Sequence, residues 1–404
     1  MTLIDDAELL LPELQALRRE LHRHPEVGLD LPWTQRRVLQ ALEGLPLEIG
    51  TGTRTSSVTA VLRGARPGPT VLLRADMDAL PVTETTGLDY ASTNGCMHAC
   101  GHDMHTAGLV GAARLLSARR DEISGSVVFM FQPGEEGFNG ATVMLEEGVL
   151  EASGERPVAA YAAHVGPGPL GLVQTLPGTI CAGSSELRIT VRGRGGHGSQ
   201  PHNAADPVAP LAQIVTALQT MVTRRFDAFA PLVISVTRLS AGDALNVIPE
   251  SASLGATVRT MSQTALDALP GRIAALAEGI AAGFGCTAEI DFRTQYLPLV
   301  NDAAETSFVI DEVRALLGDD QVLVPDNGVM GSEDFAFVLE RIPGAYVFLT
   351  CTPAEIPPGA AAMNHSPDVV FDDVVLGRQA AMLAHLAIAR LEKAVLETLL
   401  ASDS

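Results

Sequence analysis

The hydrophobic pattern of the chain predicts an α/β fold: a mainly parallel sheet with helices on both faces, interrupted by a smaller inserted α/β lid domain. Three observations carry this expectation. The runs at 127–131 and 157–163 are continuously apolar, as suits strands covered on both faces. They alternate with segments of helical period, the mark of parallel crossovers. Between about 183 and 295 the texture changes to half-exposed strands in the order strand, helix, strand, strand, helix, strand, the ferredoxin-like plan. The parallel-sheet pattern then resumes. The expected division is therefore residues 1–182 with 296–404 as one domain and 183–295 as the insert, and 404 residues suit two domains.

Taken in order, residues 7–23 place Leu9, Leu10, Leu14, Leu17 and Leu21 at helical spacing. Pro25 disfavours helix at His24, so the helix ends there, and His22 and His24 read as packing or capping groups. Residues 34–43 make a second helix. The β-rich runs 57–62 and 70–74, separated by Gly64, Pro67 and Gly68, read as neighbouring strands. The second leads into Ala75-Asp76-Met77-Asp78-Ala79-Leu80-Pro81, and acidic groups past the end of a buried strand lie where open α/β sheets place their chemistry. An isolated Asp-x-Asp reads equally well as a turn.

Residues 97–105 are Met-His-Ala-Cys-Gly-His-Asp-Met-His. Gly101 lets the backbone bend sharply between Cys100 and His102, and a thiolate and an imidazole that close suit a divalent metal. The apolar residues that follow have helical spacing, so the pair sits where a loop enters a helix. Alone, it reads as a buried cysteine beside capping histidines; its company argues otherwise. The strand at 125–132 ends in Gln132-Pro133-Gly134-Glu135-Glu136-Gly137, a pair of glutamates between glycines that is hard to explain as solvated decoration. The strand at 157–163 ends at His164. In the insert, strands are expected at 185–191, 231–237, 253–260 and 287–292 and helices at 205–222 and 265–282. The glycine-dense stretch 192–202 lacks the ending of a P-loop and reads as a flexible loop presenting His197. After the insert come helices 303–317 and 332–341, a strand at 345–350, His365 in a loop, and a long helix from about 373.

The formal net charge of −21, with no offsetting Lys/Arg cluster, argues against nucleic acid as a partner. No apolar run approaches the roughly 20 residues of a bilayer span, so no membrane partner is expected. The first residues lack a basic n-region. Five scattered cysteines, an odd number, argue for a reducing cytoplasm over a disulfide framework.

Cys100, His102, Glu136, His164 and His365 are too many ligands for one tetrahedral zinc and fit a two-metal centre of manganese, zinc, cobalt or nickel. Cys100 and Glu136 would cancel two of the four positive charges, and Asp78, Glu135 and a bridging hydroxide most of the rest. So many charged groups are costly to bury unless metal fills the site.

The sequence resembles the M20 family of metallopeptidases and amidohydrolases, in particular the N-acyl-amino-acid amidohydrolases that include hippurate and auxin-conjugate hydrolases. The resemblance spans nearly the whole chain: residues 22–26, 74–80, 97–103, 132–137, His164, 195–202, 246–249, 331–335 and His365. Cysteine at position 100 marks the amidohydrolase branch, since most other branches carry aspartate there. The resemblance implies the five ligands named above, Glu135 as general base and Asp78 as an orienting group; Asp76, two residues away on the same side of an extended chain, competes for the orienting role. It implies a lid that closes over the substrate, with His197 donating to the carbonyl oxygen. In dimeric relatives this histidine reaches the partner's site, so a homo-oligomer through the lid is expected. Asn246 and Arg259 are candidates to bind a substrate carboxylate. Gly331 and Ser332 open Gly-Ser-Glu-Asp, read either as a helix start with free N–H groups for a carboxylate or as an ordinary Ser N-cap.

The expected activity is metal-dependent hydrolysis of the amide bond of an N-acyl amino acid. The alternative is a dipeptidase or aminopeptidase of the same fold, whose free-amine substrates need an acidic anchor that the sequence does not point to. Nucleophilic catalysis by Cys100 would leave Glu135, Glu136 and His365 idle, and a storage role would need no base.

Overall fold

The computed structural model describes residues 2–357 and 359–402. In chain order the principal elements begin with α1 (Leu3–Arg23), α2 (Pro32–Leu42), β1 (Leu47–Thr51), β2 (Val58–Arg63), β3 (Arg66–Asp76), α3 (His102–Ala118), β4 (Ser124–Gln132), β5 (Ala159–Gly166) and β6 (Val173–Gln174). Next come β7 (Gly183–Arg192), α4 (Val208–Arg225), β8 (Leu232–Ala241), β9 (Ser251–Thr260), α5 (Gln263–Gly283) and β10 (Thr287–Tyr296). The chain ends with α6 (Ala303–Leu317), β11 (Val322–Leu323), β12 (Gly344–Thr350) and α7 (Leu376–Ser402). A capping box starts α1: Thr2 accepts the Asp5 N–H while the Asp5 carboxylate accepts the Thr2 N–H.

The chain divides into two compact units, Met1–Gly178 with Val300–Asn327 and Phe337–Ser404, and Thr179–Leu299 with Gly328–Ala336. The second unit thus includes 328–336, which the sequence pattern assigned to the first domain. Backbone bonds account for this: Val329 N–H donates to the Ile180 carbonyl, and Ala182 N–H to those of Val329 and Gly331.

The larger unit is built on an eight-stranded sheet in the order β1-β2-β4-β3-β5-β12-β6-β11. β3 runs parallel to β4 and β5, β12 parallel to β5, and β11 parallel to β6. β1–β2, β2–β4 and β6–β12 are antiparallel. The strands at 58–63 and 66–76 are therefore not neighbours, contrary to the expectation from their spacing. The chain leaves β3 through α3 and returns as β4, which takes the slot between them. Phe129, Phe131, Leu73 and Tyr161 from the sheet and Leu109, Leu383 and Leu386 from α3 and α7 lie in one buried core.

By length and composition the terminal helix is apolar enough to cross a membrane, which the sequence reading overlooked, but 72% of its most apolar window is buried inside the protein. It is the core helix of this unit.

In the smaller unit four antiparallel strands are ordered β8-β9-β7-β10. Counted within the unit this is second, third, first, fourth, the ferredoxin-like arrangement. Leu187, Ile189 and Val191 of β7 share a core with Ile214 and Leu218 of α4 and Leu269 and Ile273 of α5.

Candidate metal centre

Strand ends bring the polar groups of the larger unit together. Asp76 closes β3 and Asp78 follows it. β4 leads through Pro133 and Gly134 into a short helical turn, Glu135–Phe138, that breaks at Glu136 (φ −74°, ψ 70°) and Gly137 (φ 86°). His164 lies near the end of β5, and His102 opens α3. Gly101, at φ 85°, sits between Cys100 and His102, and a Cβ there would lie 2.3 Å from Val165 Cγ2. Only glycine permits that approach.

Three trios share members: Cys100, His102 and His164; Cys100, Glu136 and His365; and His102, Glu135 and Glu136. Within each, the ligand atoms lie within 4.8 Å of one another. Cys100 Sγ is 3.4 Å from His164 Nε2, and His365 Nε2 is 3.0 Å from Glu136 Oε1. His164 Nδ1 lies 2.7 Å from the Val165 carbonyl. A carbonyl only accepts, so Nδ1 carries the proton and Nε2 offers its lone pair toward Cys100. His365 is held at φ 72°, uncommon for a residue with a side chain, and its N–H donates to the Ala99 carbonyl at 2.9 Å. Its side chain is 53% exposed, so it lies on the open side of the group.

Asp78 has a definite structural task. One oxygen accepts the Glu135 N–H and the other the Glu136 N–H, both at 3.0 Å. The fully buried carboxylate clamps the start of the turn that carries both glutamates. Asp78 Oδ1 also stands 3.4 Å from His102 Nδ1.

The electrostatics fit a cation. Burial pushes the Cys100 thiol up, but His164, then His102 and His365, outweigh it and hold the thiol well below its ordinary value. Burial alone would lower His102, yet Asp76, Asp78 and Cys100 raise it well above the usual imidazole range. Contacts with Cys100 and Glu136 raise His365 to about 10. Burial raises Glu136. The set therefore stabilises positive charge at its centre, a demand that divalent cations meet.

The donor chemistry agrees. Both ring nitrogens of buried His102 lack a hydrogen-bond partner among the described residues. One thiolate, one carboxylate and three imidazoles match borderline divalent metals. These residues fit the metal pair expected from the sequence.

Supporting residues surround the group. Asn364 Nδ2 donates to the carbonyls of Cys100 and Val165, at 3.3 and 3.2 Å, and fixes the loop before His365. Asp103, next to His102, lies 2.8 Å from Arg18 Nε and 2.7 Å from His22 Nδ1, so α1 anchors the first turn of α3. His24 instead stacks on Trp33 at 4.3 Å. Sequence reasoning named no role for Asn364, although it stands beside His365.

The remaining predicted residues, His197, Asn246, Arg259, Gly331 and Ser332, belong to the smaller unit. His197 Nδ1 accepts the Ser199 N–H at 3.1 Å, so the neutral ring presents an exposed Nε2–H. The Asn246 carbonyl accepts the Gly198 N–H at 2.8 Å. Arg259 is half-buried beside Ser184, to whose hydroxyl it donates. Residues 331–334 do not start a helix, contrary to the sequence reading. The helical turn is Ala336–Leu339, and the Glu333 carboxylate takes the Phe335 N–H at 2.9 Å. Ser332 is therefore not its N-cap, and Gly331 and Ser332 present no helix N-terminus to a carboxylate.

Comparison with known proteins agrees with the geometry. Peptidase family M20/M25/M40 matches residues 72–389. The chain is 38% identical to N-acetylcysteine deacetylase of Bacillus subtilis (strain 168), over 93% of this chain and 96% of that protein. It is 36% identical to thermostable carboxypeptidase 2 of Saccharolobus solfataricus, over 92% of this chain and 94% of that one. Among solved structures, the YXEP protein of Bacillus subtilis, described as a dinuclear metal binding peptidase from the M20 family, superposes with a TM-score of 0.82 at 35% identity, covering 95% of this chain and 99% of that one. The chain belongs to peptidase family M20/M25/M40.

Proposed function

We propose that this protein is a metal-dependent amidohydrolase that cleaves the amide bond of N-acyl amino acids, releasing a carboxylic acid and a free amino acid. The observation that carries this reading is the convergence of Cys100, His102, Glu136, His164 and His365 with Glu135 in the same group. The N-acetylcysteine deacetylase relative supports the substrate class.

Cys100, His102, Glu136, His164 and His365 would hold two divalent ions drawn from manganese, zinc, cobalt or nickel. When bound, such ions supply Lewis acidity, which acidifies water and polarises the acyl carbonyl. Glu135 then takes a proton from water as the water oxygen bonds to the acyl carbon. As the C–N bond breaks, Glu135 gives that proton to the leaving nitrogen. Asp78 holds Glu135 at its station through the backbone. His197 offers its Nε2–H to the carbonyl oxygen as charge develops there, from its own chain or from a partner. Asn246 and Arg259 are the proposed holders of the substrate carboxylate. A cytoplasmic homo-oligomer joined through the smaller unit completes the proposal; that all five cysteines are free supports the compartment.

The carboxypeptidase relative favours a second reading, a peptidase of the same fold. Parallel assays on acetylated amino acids and on unblocked dipeptides separate the two. Glu135→Gln tests the mechanism: it should keep metal and lose about 10²–10⁴-fold in kcat, the range of general acid–base catalysis. Turnover near that of the parent would remove Glu135 from its role.

A further inference from the structure

His105 closes the Cys-Gly-His-Asp-Met-His stretch, yet the reaction as described leaves it unused. It is fully buried and both its ring nitrogens are committed. Val165 N–H donates to His105 Nε2 at 2.8 Å. A backbone N–H only donates, so Nε2 is the unprotonated nitrogen and Nδ1 carries the hydrogen. That hydrogen faces Asp76 Oδ1, 2.5 Å away. His105 therefore has no lone pair left for a metal, although it lies in a trio with Asp76 and His102.

Asp76 is equally constrained. Its Oδ2 is 2.7 Å from Arg74 Nη1, its carbonyl accepts the Thr106 hydroxyl at 2.9 Å, and the side chain is inaccessible to solvent. Gln132 Oε1 accepts from Arg74 Nε at 2.9 Å and holds the guanidinium in place. Fixed from two sides, Asp76 turns Oδ2 toward His102 Nε2 at 3.6 Å, an ion-pair distance. The other ring nitrogen, Nδ1, faces Asp78, whose two oxygens already serve the amides of Glu135 and Glu136. Nδ1 is thus on the side of the glutamates, and Nε2 on the side of Asp76.

We propose that His105 is a positioning residue for the metal centre: with Arg74 it locks Asp76 as the carboxylate partner of His102 Nε2, which leaves His102 Nδ1 as the metal-binding atom. Because Val165 follows His164, His105 also ties the backbone beside His164 to the carboxylate beside His102. Two candidate ligands on separate elements are thereby set against one another by a single buried ring. Carboxylates that orient a ligating imidazole are typically worth 10–100-fold in metal affinity.

This proposal rests on the metal reading above, and its test has two arms. In the first, zinc is titrated into the stripped full-length protein against a chromophoric chelator. His105→Leu loses both bonds and should weaken one of two zinc sites by about 10–100-fold. His105→Asn keeps a donor where Nδ1 stood and should recover most of that loss. The second arm, long-range ¹H–¹⁵N correlation on zinc-loaded wild type labelled at histidine, does not depend on any variant folding. It should show His105 protonated at Nδ1, and His102 protonated at Nε2 with zinc on Nδ1. Parent-like affinity at both sites in His105→Leu, or zinc on His102 Nε2, overturns the proposal. A wild type that takes up no divalent ion defeats the metal reading itself, a separate result.

Discussion

Asp78→Asn isolates the clamp on the two glutamates. In the parent, each oxygen of Asp78 accepts one backbone N–H at 3.0 Å, from Glu135 and from Glu136. Asparagine keeps one acceptor oxygen and replaces the other with an NH₂ group, which sets donor against donor. The lost bond to a charged acceptor is worth about 1.5–3 kcal/mol, and the amide left unpaired in the interior adds a penalty of similar size. Local relaxation of the turn recovers part of this, so a net loss of about 3 kcal/mol is expected in urea unfolding of the metal-loaded enzyme. Whichever oxygen the asparagine keeps, Glu135 or Glu136 loses its anchor. Displacement of a general base from its station forfeits much of the 10²–10⁴-fold that such groups supply, so kcat on an N-acetyl amino acid should fall by roughly 10²-fold. A variant whose kcat stays within about twofold of the parent, with an unchanged unfolding midpoint, would refute the clamp.

Two further outcomes follow from the same geometry. Gly101→Ala forces a side chain into the left-handed region, at about 1–2 kcal/mol, and its Cβ would meet Val165 Cγ2 at 2.3 Å. Denaturant melts should show a loss of about 3 kcal/mol or more, together with weaker metal uptake because Cys100 and His102 are pushed apart; an unchanged melt would show that the loop has another route. Burial pushes the Cys351 thiol up to about 12, and the side chain is inaccessible. At pH 8.5 iodoacetamide should therefore leave Cys351 unmodified in the folded protein while labelling the partly exposed Cys96, and should reach Cys351 only after unfolding. Rapid native labelling of Cys351 would contradict its place in the core.

The chemistry was legible in the sequence where polar residues interrupt strong apolar runs. Glu135, Glu136 and His164 each stand at or near the end of a buried strand, and Cys100 and His102 flank a glycine at a helix start, so their convergence follows once the sheet forms. Sheet order was less legible. β2 and β3 are close in sequence, but which strand fills the slot between them depends on how α3 packs, and no local pattern encodes that. At 331–334, Gly-Ser-Glu-Asp has the composition of a helix start, yet the Glu333 side chain takes the Phe335 amide and delays the helix to Ala336. Asp76 and His105 escaped assignment because each has its partner on another element: Asp76 meets His105 of α3, and His105 meets the backbone of β5. Asn364 stands next to a recognised ligand, but its targets, the carbonyls of Cys100 and Val165, are backbone atoms with no sequence signature.

The account depends on a pair of divalent cations gathered by five side chains from four separate places in the chain. Anomalous diffraction from crystals of the manganese- or zinc-loaded protein, paired with elemental analysis of the same sample, reads this out directly. The expected result is two peaks per chain, with Cys100 Sγ, Glu136 and the imidazoles of His102, His164 and His365 at coordination distance. A single peak, or peaks that Cys100 and His365 do not touch, would contradict it.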